Sequence, residues 1–334
     1  MTDASPQLPE IRAAAARIAP YVTRTPVMAS RVLDAQSGAR LHFKCENFQR
    51  IGAFKARGAH NAVLSLPADV LPHGVVTHSS GNHAAALALA ARNAGTRAYV
   101  AMPHNAPRAK VESVRRLGGE IVFCEPTVPA REACCAAIRE RTGATLVHPY
   151  DDWRVIAGQG TAALELLEDV PELDALIAPI GGGGLVSGTA IVGAARGIAT
   201  FGAEPAAADD AWRSFVAGSI QPVLRTDTVA DGLRTSLSER TFAVIRQHVE
   251  DVLTVSEEEI VAAMRLVWEV MKIVIEPSSA VPVAALLGAR SRFAGKRVGV
   301  ILSGGNVDLD ALPWTPRGAG ARGVRESRVM RSVR

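Results

Sequence analysis

The sequence predicts an α/β fold: a parallel sheet flanked by helices in a large unit, with a smaller αβ unit inserted in it. Three observations predict it. Strand-like apolar runs alternate with helical patterns along most of the chain, the order that builds parallel sheets through crossover helices. Side chains are small, since aromatics make up 4% of the 334 residues while Ala, Val, Leu, Ile and Gly abound, which suits close helix-on-sheet packing. Turns rich in Gly and Ser follow the strand-like runs, where open α/β sheets collect their ligands.

The elements follow in order. Residues 41–46 (LHFKCE) read as a strand and 54–66 as the helix after it. Residues 74–80 form a strand and turn that open onto an Ala-rich helix running through Arg92. Strands at 97–103 and 120–125 flank a helix over 108–118. An apolar run at 175–180 leads through four glycines into a small-residue helix, and 296–306 closes the pattern. The large unit is expected to comprise 1–68 and 148–315, the small one 75–145. The last nineteen residues, 316–334, hold six Arg against one Glu and read as a basic, disordered tail.

That tail decides how charge is interpreted. The chain carries a formal +4, but once the tail's +5 is set aside the body carries −1, so no basic face for nucleic acid is expected. No apolar run approaches 18 residues and the N-terminus lacks a charged-then-apolar leader, so the expectation is a cytoplasmic protein with no membrane partner. Cys45, Cys124, Cys134 and Cys135 form no CxxC pair, which supports neither a zinc knuckle nor a disulfide framework.

Three turns carry the chemistry. Gly181, Gly182, Gly183 and Gly184 precede a helix, so backbone N–H groups can meet an anion at its positive end. The position in mid-chain fits no dinucleotide fingerprint, and no Gly-Lys-Ser/Thr follows for a Walker loop. Lys55 stands at a helix start, where a free ammonium is disfavoured by the macrodipole and a covalently engaged amine is not. Ser79, Ser80, Asn82 and His83 at another helix entrance offer a carboxylate clamp. Taken singly, each keeps a plainer reading: a flexible turn, a surface cation and an ordinary helix cap.

Together they resemble a family. FKARGA around Lys55, SSGNH at 79–83, GGGG at 181–184, GAEP at 202–205, EPSSA at 276–280 and SGGN at 303–306 occur in one order. The chain is similar over about residues 10–312 to the fold type II pyridoxal-phosphate enzymes, in the branch of serine racemase and serine/threonine dehydratase (ammonia-lyase). The resemblance implies a two-domain, tryptophan synthase β-like architecture. It also implies that Lys55 holds pyridoxal 5′-phosphate as an imine and that Phe54 packs on the ring. Gly181 to Gly184 with Leu185 would take the phosphate, Asn82 the phenolic oxygen and Ser303 the pyridine nitrogen. A hydroxyl at that nitrogen makes the ring a weaker electron sink than a carboxylate would, which favours prompt loss of a β-substituent.

The implied reaction is elimination of water from a β-hydroxy amino acid such as L-serine or L-threonine, giving a 2-oxo acid and ammonia. Lys55 would act as base and Ser80 from the opposite ring face, which permits racemisation. Ser79, Asn82 and His83 would hold the substrate carboxylate. Arg131 and Thr235 fall near the substrate by the same likeness, and a second carboxylate would suit L-threo-3-hydroxyaspartate, giving oxaloacetate. The segment SLSERTF departs from the family pattern, in which Gly commonly follows the Ser-Leu pair. Glu204, the Ala208 carbonyl and Asp210 match a pattern that binds Mg2+ or Mn2+ through oxygen ligands. ATP activation is implied through Lys272 and Asn306, although Val270 stands where an arginine would help. A homodimer is also implied. The absence of a regulatory extension disfavours a feedback-inhibited threonine deaminase. A catalytically silent cofactor-binding homologue is the competing class, against which the intact lysine, clamp and acidic pattern argue.

Overall fold

A computed structural model describes residues 4–315, so the expected tail at 316–334 lies outside the described residues. Ten strands form two sheets. They are β1 (Val27–Met28), β2 (Arg40–Cys45), β3 (Val75–His78), β4 (Ala98–Pro103), β5 (Gly119–Cys124), β6 (Thr145–Leu146), β7 (Ala175–Pro179), β8 (Ala199–Pro205), β9 (Asp251–Val255) and β10 (Arg297–Leu302). The larger sheet has the order β1-β2-β10-β7-β8-β9 and the smaller the order β5-β4-β3-β6. All pairings are parallel except that of β1 with β2, so the large sheet is mixed and not wholly parallel as expected.

The interior strands are continuous apolar runs because helices cover both faces. β4 and β7 are buried along their whole length, and β10 is buried from Val298 to Leu302. Val298 pairs with Leu41 on one side and Ala175 on the other, which sets the register at the centre of the large sheet. The helix Pro277–Gly288 covers one face of that sheet through Val281, Val283 and Leu286.

Small residues bring three helices to backbone distance. A Cβ added to Gly158, in the helix Trp153–Asp169, would stand 2.6 Å from Cα of Gly58 in the lysine helix (Lys55–Leu64). One added to Gly188, in the glycine helix (Gly184–Ala194), would stand 2.5 Å from N of Gly160. The long middle helix therefore fixes the lysine helix and the glycine helix relative to one another.

A buried ionic network fastens the lysine helix from below. The guanidinium of Arg57 forks onto Glu46 at 2.7 and 2.8 Å and onto Glu165 at 2.7 and 2.8 Å. Lys44 reaches Glu165 at 2.6 Å, and the Thr25 hydroxyl donates to Glu46 at 2.6 Å. Two cations meet two carboxylates, so these charges leave water without leaving one unpaired.

Candidate active site

Direct contacts tie together the segments expected to form the site. Lys55 Nζ donates to the carbonyl of Pro149 at 2.8 Å and lies 5.1 Å from the centre of the Phe54 ring. Burial lowers the lysine to about 8 against the pull of Glu276, which makes the neutral amine far more accessible near neutrality than in an ordinary lysine. Next to Pro149, the Tyr150 ring lies on the glycine turn. A Cβ on Gly182 would stand 2.2 Å from that ring, and Gly183 has φ 87°, which side chains rarely adopt. The N–H of Phe54 donates to the carbonyl of Ser303 at 3.0 Å, which brings the end of β10 against the lysine. The Ser303 hydroxyl is buried beside that of Ser279 at 3.1 Å, and Ser279 bridges the main chain of Gly304 at 2.6 and 2.7 Å.

The helices beginning at Lys55, Asn82 and Gly184 have no side-chain cap at their N-cap residues, a trait they share with those at Arg108, Asp210, Pro277 and Arg290. The helices at Arg31, Trp153, Glu239 and Glu257, by contrast, take caps from Ser30, Asp152, Ser238 and Ser256. The Ser79 hydroxyl, which could have capped, accepts from Gly81 at 3.2 Å, outside the helix Asn82–Asn93. At Lys55 the first turn is already engaged, since Ala56 and Arg57 donate to the carbonyls of Ala53 and Phe54 and Gly58 donates to Gln159 at 3.1 Å. At Asn82 and Gly184 the leading N–H groups can meet a ligand, and the helix dipole favours an anionic one.

The remaining expected residues take up distinct places. Leu185 is buried in the first turn of the glycine helix. Ser80 is half-buried beside Gly81. Thr235 is exposed, with its hydroxyl 3.2 Å from where a Cβ on Gly181 would stand. Arg131 lies in the first turn of the helix Val128–Thr142, where its Nε donates to the Thr127 carbonyl at 3.4 Å, and its charge reaches His78 and Tyr150. The imidazole of His83 is buried with Nε2 at 3.1 Å from the Val147 carbonyl, so its Nδ1 carries a lone pair that meets no partner. Burial and the Lys55 cation hold that ring well below the ordinary histidine range. As a neutral acceptor it offers a substrate carboxylate only its main-chain N–H. His148 is likewise pushed down to about 4 by burial, and it stands edge-on to His78 and Tyr150.

Glu204 lies in β8, Ala208 in the turn that follows, and Asp210 at the start of the helix Asp210–Ala217. The Glu204 carboxylate accepts from the N–H groups of Ala211 and Trp212, and Asp210 accepts from Leu237 at 3.3 Å. Burial raises Glu204 well above the usual carboxylate range, helped by the nearby Asp210, which is itself raised to about 6. Among the described residues no three His, Cys, Asp or Glu side chains gather to hold a metal. Two crowded carboxylates and a carbonyl remain a donor set of hard oxygens.

Three residues of this neighbourhood escaped the reading of the sequence: Tyr150, Glu276 and Ser279. The last two sit inside the quoted EPSSA motif, whose partners lie far away in the chain.

Comparisons with known proteins point to one family. A family model described as pyridoxal-phosphate dependent enzyme matches residues 18–304. The β-hydroxyaspartate dehydratase of Paracoccus denitrificans (strain Pd 1222) is 52% identical over 311 residues, covering 92% of this chain and 99% of its own. The serine racemase of Arabidopsis thaliana is 50% identical over 309 residues, covering 90% and 93%. The crystal structure of the serine racemase of Dictyostelium discoideum superposes with a TM-score of 0.88 at 46% identity, covering 92% of this chain and all of that one.

Proposed function

The chain belongs to the pyridoxal-phosphate dependent enzymes, and on that premise we propose that it is an ammonia-lyase for β-hydroxy amino acids such as L-serine or L-threonine, with racemisation as a companion activity. The observation that carries this reading is the buried lysine amine, lowered to about 8 and tied through Pro149 and Tyr150 to the glycine turn and through Phe54 to Ser303.

The residues fit the cofactor. The glycine turn with Leu185 would take its phosphate, Lys55 its carbonyl carbon, Asn82 its phenolic oxygen and Ser303 its ring nitrogen, with Phe54 beside the ring. When bound, pyridoxal phosphate supplies the electron sink that acidifies the substrate Cα–H bond. The chain's own groups then divide the work. Ser79, just before the helix, and the first-turn N–H groups of Asn82 and His83 would hold the α-carboxylate, and Lys55 Nζ takes the Cα proton with the Pro149 carbonyl steadying the ammonium. The β-hydroxyl leaves as water, and hydrolysis of the product releases a 2-oxo acid and ammonia. Ser80 would return a proton to Cα from the other side, which inverts the centre.

A second reading is favoured by two features. Arg131 projects its charge onto Tyr150 and His78, and Thr235 borders Gly181, which suits a substrate with a second carboxylate such as L-threo-3-hydroxyaspartate. A divalent Mg2+ or Mn2+ at Glu204, Ala208 and Asp210, ATP activation and a homodimer belong to the same proposal. Rates with and without each ligand and sedimentation velocity test them.

The decisive experiment incubates the purified protein with L-serine, L-threonine and L-threo-3-hydroxyaspartate and measures oxo acid, ammonia and D-serine. Borohydride should fix the cofactor to Lys55, and Lys55→Ala should lose at least a thousandfold in every rate. Ser80→Ala should lose racemisation more than elimination. A label on another lysine, or full turnover by Lys55→Ala, would sink the reading.

A further inference from the structure

Asn82 lies on a helix that follows β3 of the small sheet, yet its side chain is held by residues that close the large one. Asn306 Nδ2 donates to the carbonyl of Ile51 at 2.7 Å and to Asn82 Oδ1 at 2.9 Å. A main-chain carbonyl can only accept, so the end of the Asn306 amide that faces Ile51 is the nitrogen. Its second hydrogen reaches Asn82, so the end of the Asn82 amide that faces Asn306 is the oxygen. The Asn82 nitrogen is thereby turned to Glu276 and stands 3.2 Å from each carboxylate oxygen. Glu276 also accepts the N–H of Asn306 at 3.2 Å. The Ile51 carbonyl closes one end of the relay as an obligatory acceptor and the ionised Glu276 carboxylate closes the other, so each amide then has a single admissible orientation.

Glu276 is buried, and room is kept for it: a Cβ on Gly304 would stand 2.8 Å from its Oε1. Nδ2 has two hydrogens. A nitrogen equidistant from two carboxylate oxygens directs one hydrogen between them and keeps the other.

We infer that Glu276 is a positioning residue for the reaction: it turns the Asn82 amide so that a spare N–H, and not the carbonyl oxygen, meets the phenolic oxygen of the cofactor. This rests on the role given to Asn82 above. The relay also makes the orientation conditional on both sheets being in place, since Asn82 comes from one and Glu276 and Asn306 from the other.

The test compares the cofactor-binding behaviour of three variants at pH 8. Glu276→Gln keeps the shape but replaces one of the two acceptor oxygens facing Asn82 with a donor, so the Asn82 amide should lose its fixed orientation. The Kd for pyridoxal phosphate should rise about tenfold, as expected for losing a hydrogen bond to a charged oxygen, and the absorption band of the bound cofactor should move. Glu276→Asp, an acceptor only, should stay within about threefold of the parent and keep the band. In an Asn82→Ala background Glu276→Gln should have no further effect on the band, because the group it orients is gone. Thermal melts of all proteins check that they fold. A band unchanged by Glu276→Gln while Asn82→Ala moves it would overturn the positioning role alone. So would an equal shift in both backgrounds. A band and Kd indifferent to Asn82→Ala would overturn the reading of Asn82 itself.

Discussion

At the scale of single residues, burial has shifted titration in ways that can be measured. Glu276 is raised to about 7 by desolvation, which outweighs its hydrogen bond from Asn82. The folded state therefore holds this proton more tightly than the unfolded chain does. Stability that is present at acid pH is lost as pH rises from the ordinary carboxylate value through about 7. In cofactor-free protein, the unfolding free energy of the parent relative to Glu276→Gln should fall by about 3 kcal/mol between pH 5 and pH 8. Urea melts at the two pH values check this, and a difference that stays flat or rises would contradict it. Lys55, the glycines and Ser303 were legible in the sequence because each stands in a short local motif. Glu276 was not singled out because the partner that gives it meaning, Asn82, lies 194 residues away. Tyr150 was passed over for a related reason: the bareness of Gly182 looked like room for a phosphate, and the structure shows an aromatic ring using it as well.

Among the elements, the first turn of the lysine helix has no cap of its own, and the Arg57 network does the holding instead. Arg57→Met would leave Glu46 and Glu165 buried without their fork. We expect a loss of about 3–5 kcal/mol in urea melts, partly recovered by adding Glu46→Gln. Unchanged stability would show that the network is ornamental. The Glu204 and Asp210 pair belongs to this scale too, because it joins β8, the helix Asp210–Ala217 and the loop at Leu237. Chelation should lower the elimination rate and the melting temperature, and Mg2+ or Mn2+ should restore both in the parent but not in Glu204→Gln. Equal restoration in the variant would remove the metal from these residues. Strands with continuous apolar runs were legible from sequence. The antiparallel β1 is two residues long, too short for any periodicity, and β9 begins on Asp251 as a half-exposed edge. The helix Trp153–Asp169 was obscured by Gly158 and Gly160, which weaken helix propensity but are needed where backbones touch.

On the scale of the whole molecule, two sheets are joined across the site by a few polar links: Lys55 to Pro149, Asn82 to Glu276 and Asn306, and Lys110 to Asp231 at 2.7 Å. The order of elements that generates both sheets was visible in the alternation of strand and helix signals. Their mutual placement was not, because it depends on contacts between residues remote in sequence. The uncapped helix starts have a consequence for the life of the protein. With no anion present, the leading N–H groups of the helices at Asn82 and Gly184 compete only for water, so newly made chains should fray there and offer sites to proteases. Pyridoxal phosphate held as proposed would act as a shared cap, and at a hundredfold excess over its Kd it would add about 2.7 kcal/mol to the folded state. Limited proteolysis should cut the cofactor-free protein near 79–82 or 181–184 and spare the loaded one; identical cleavage of both would count against this. Vitamin supply would thus regulate how much of this enzyme survives as well as how fast it works.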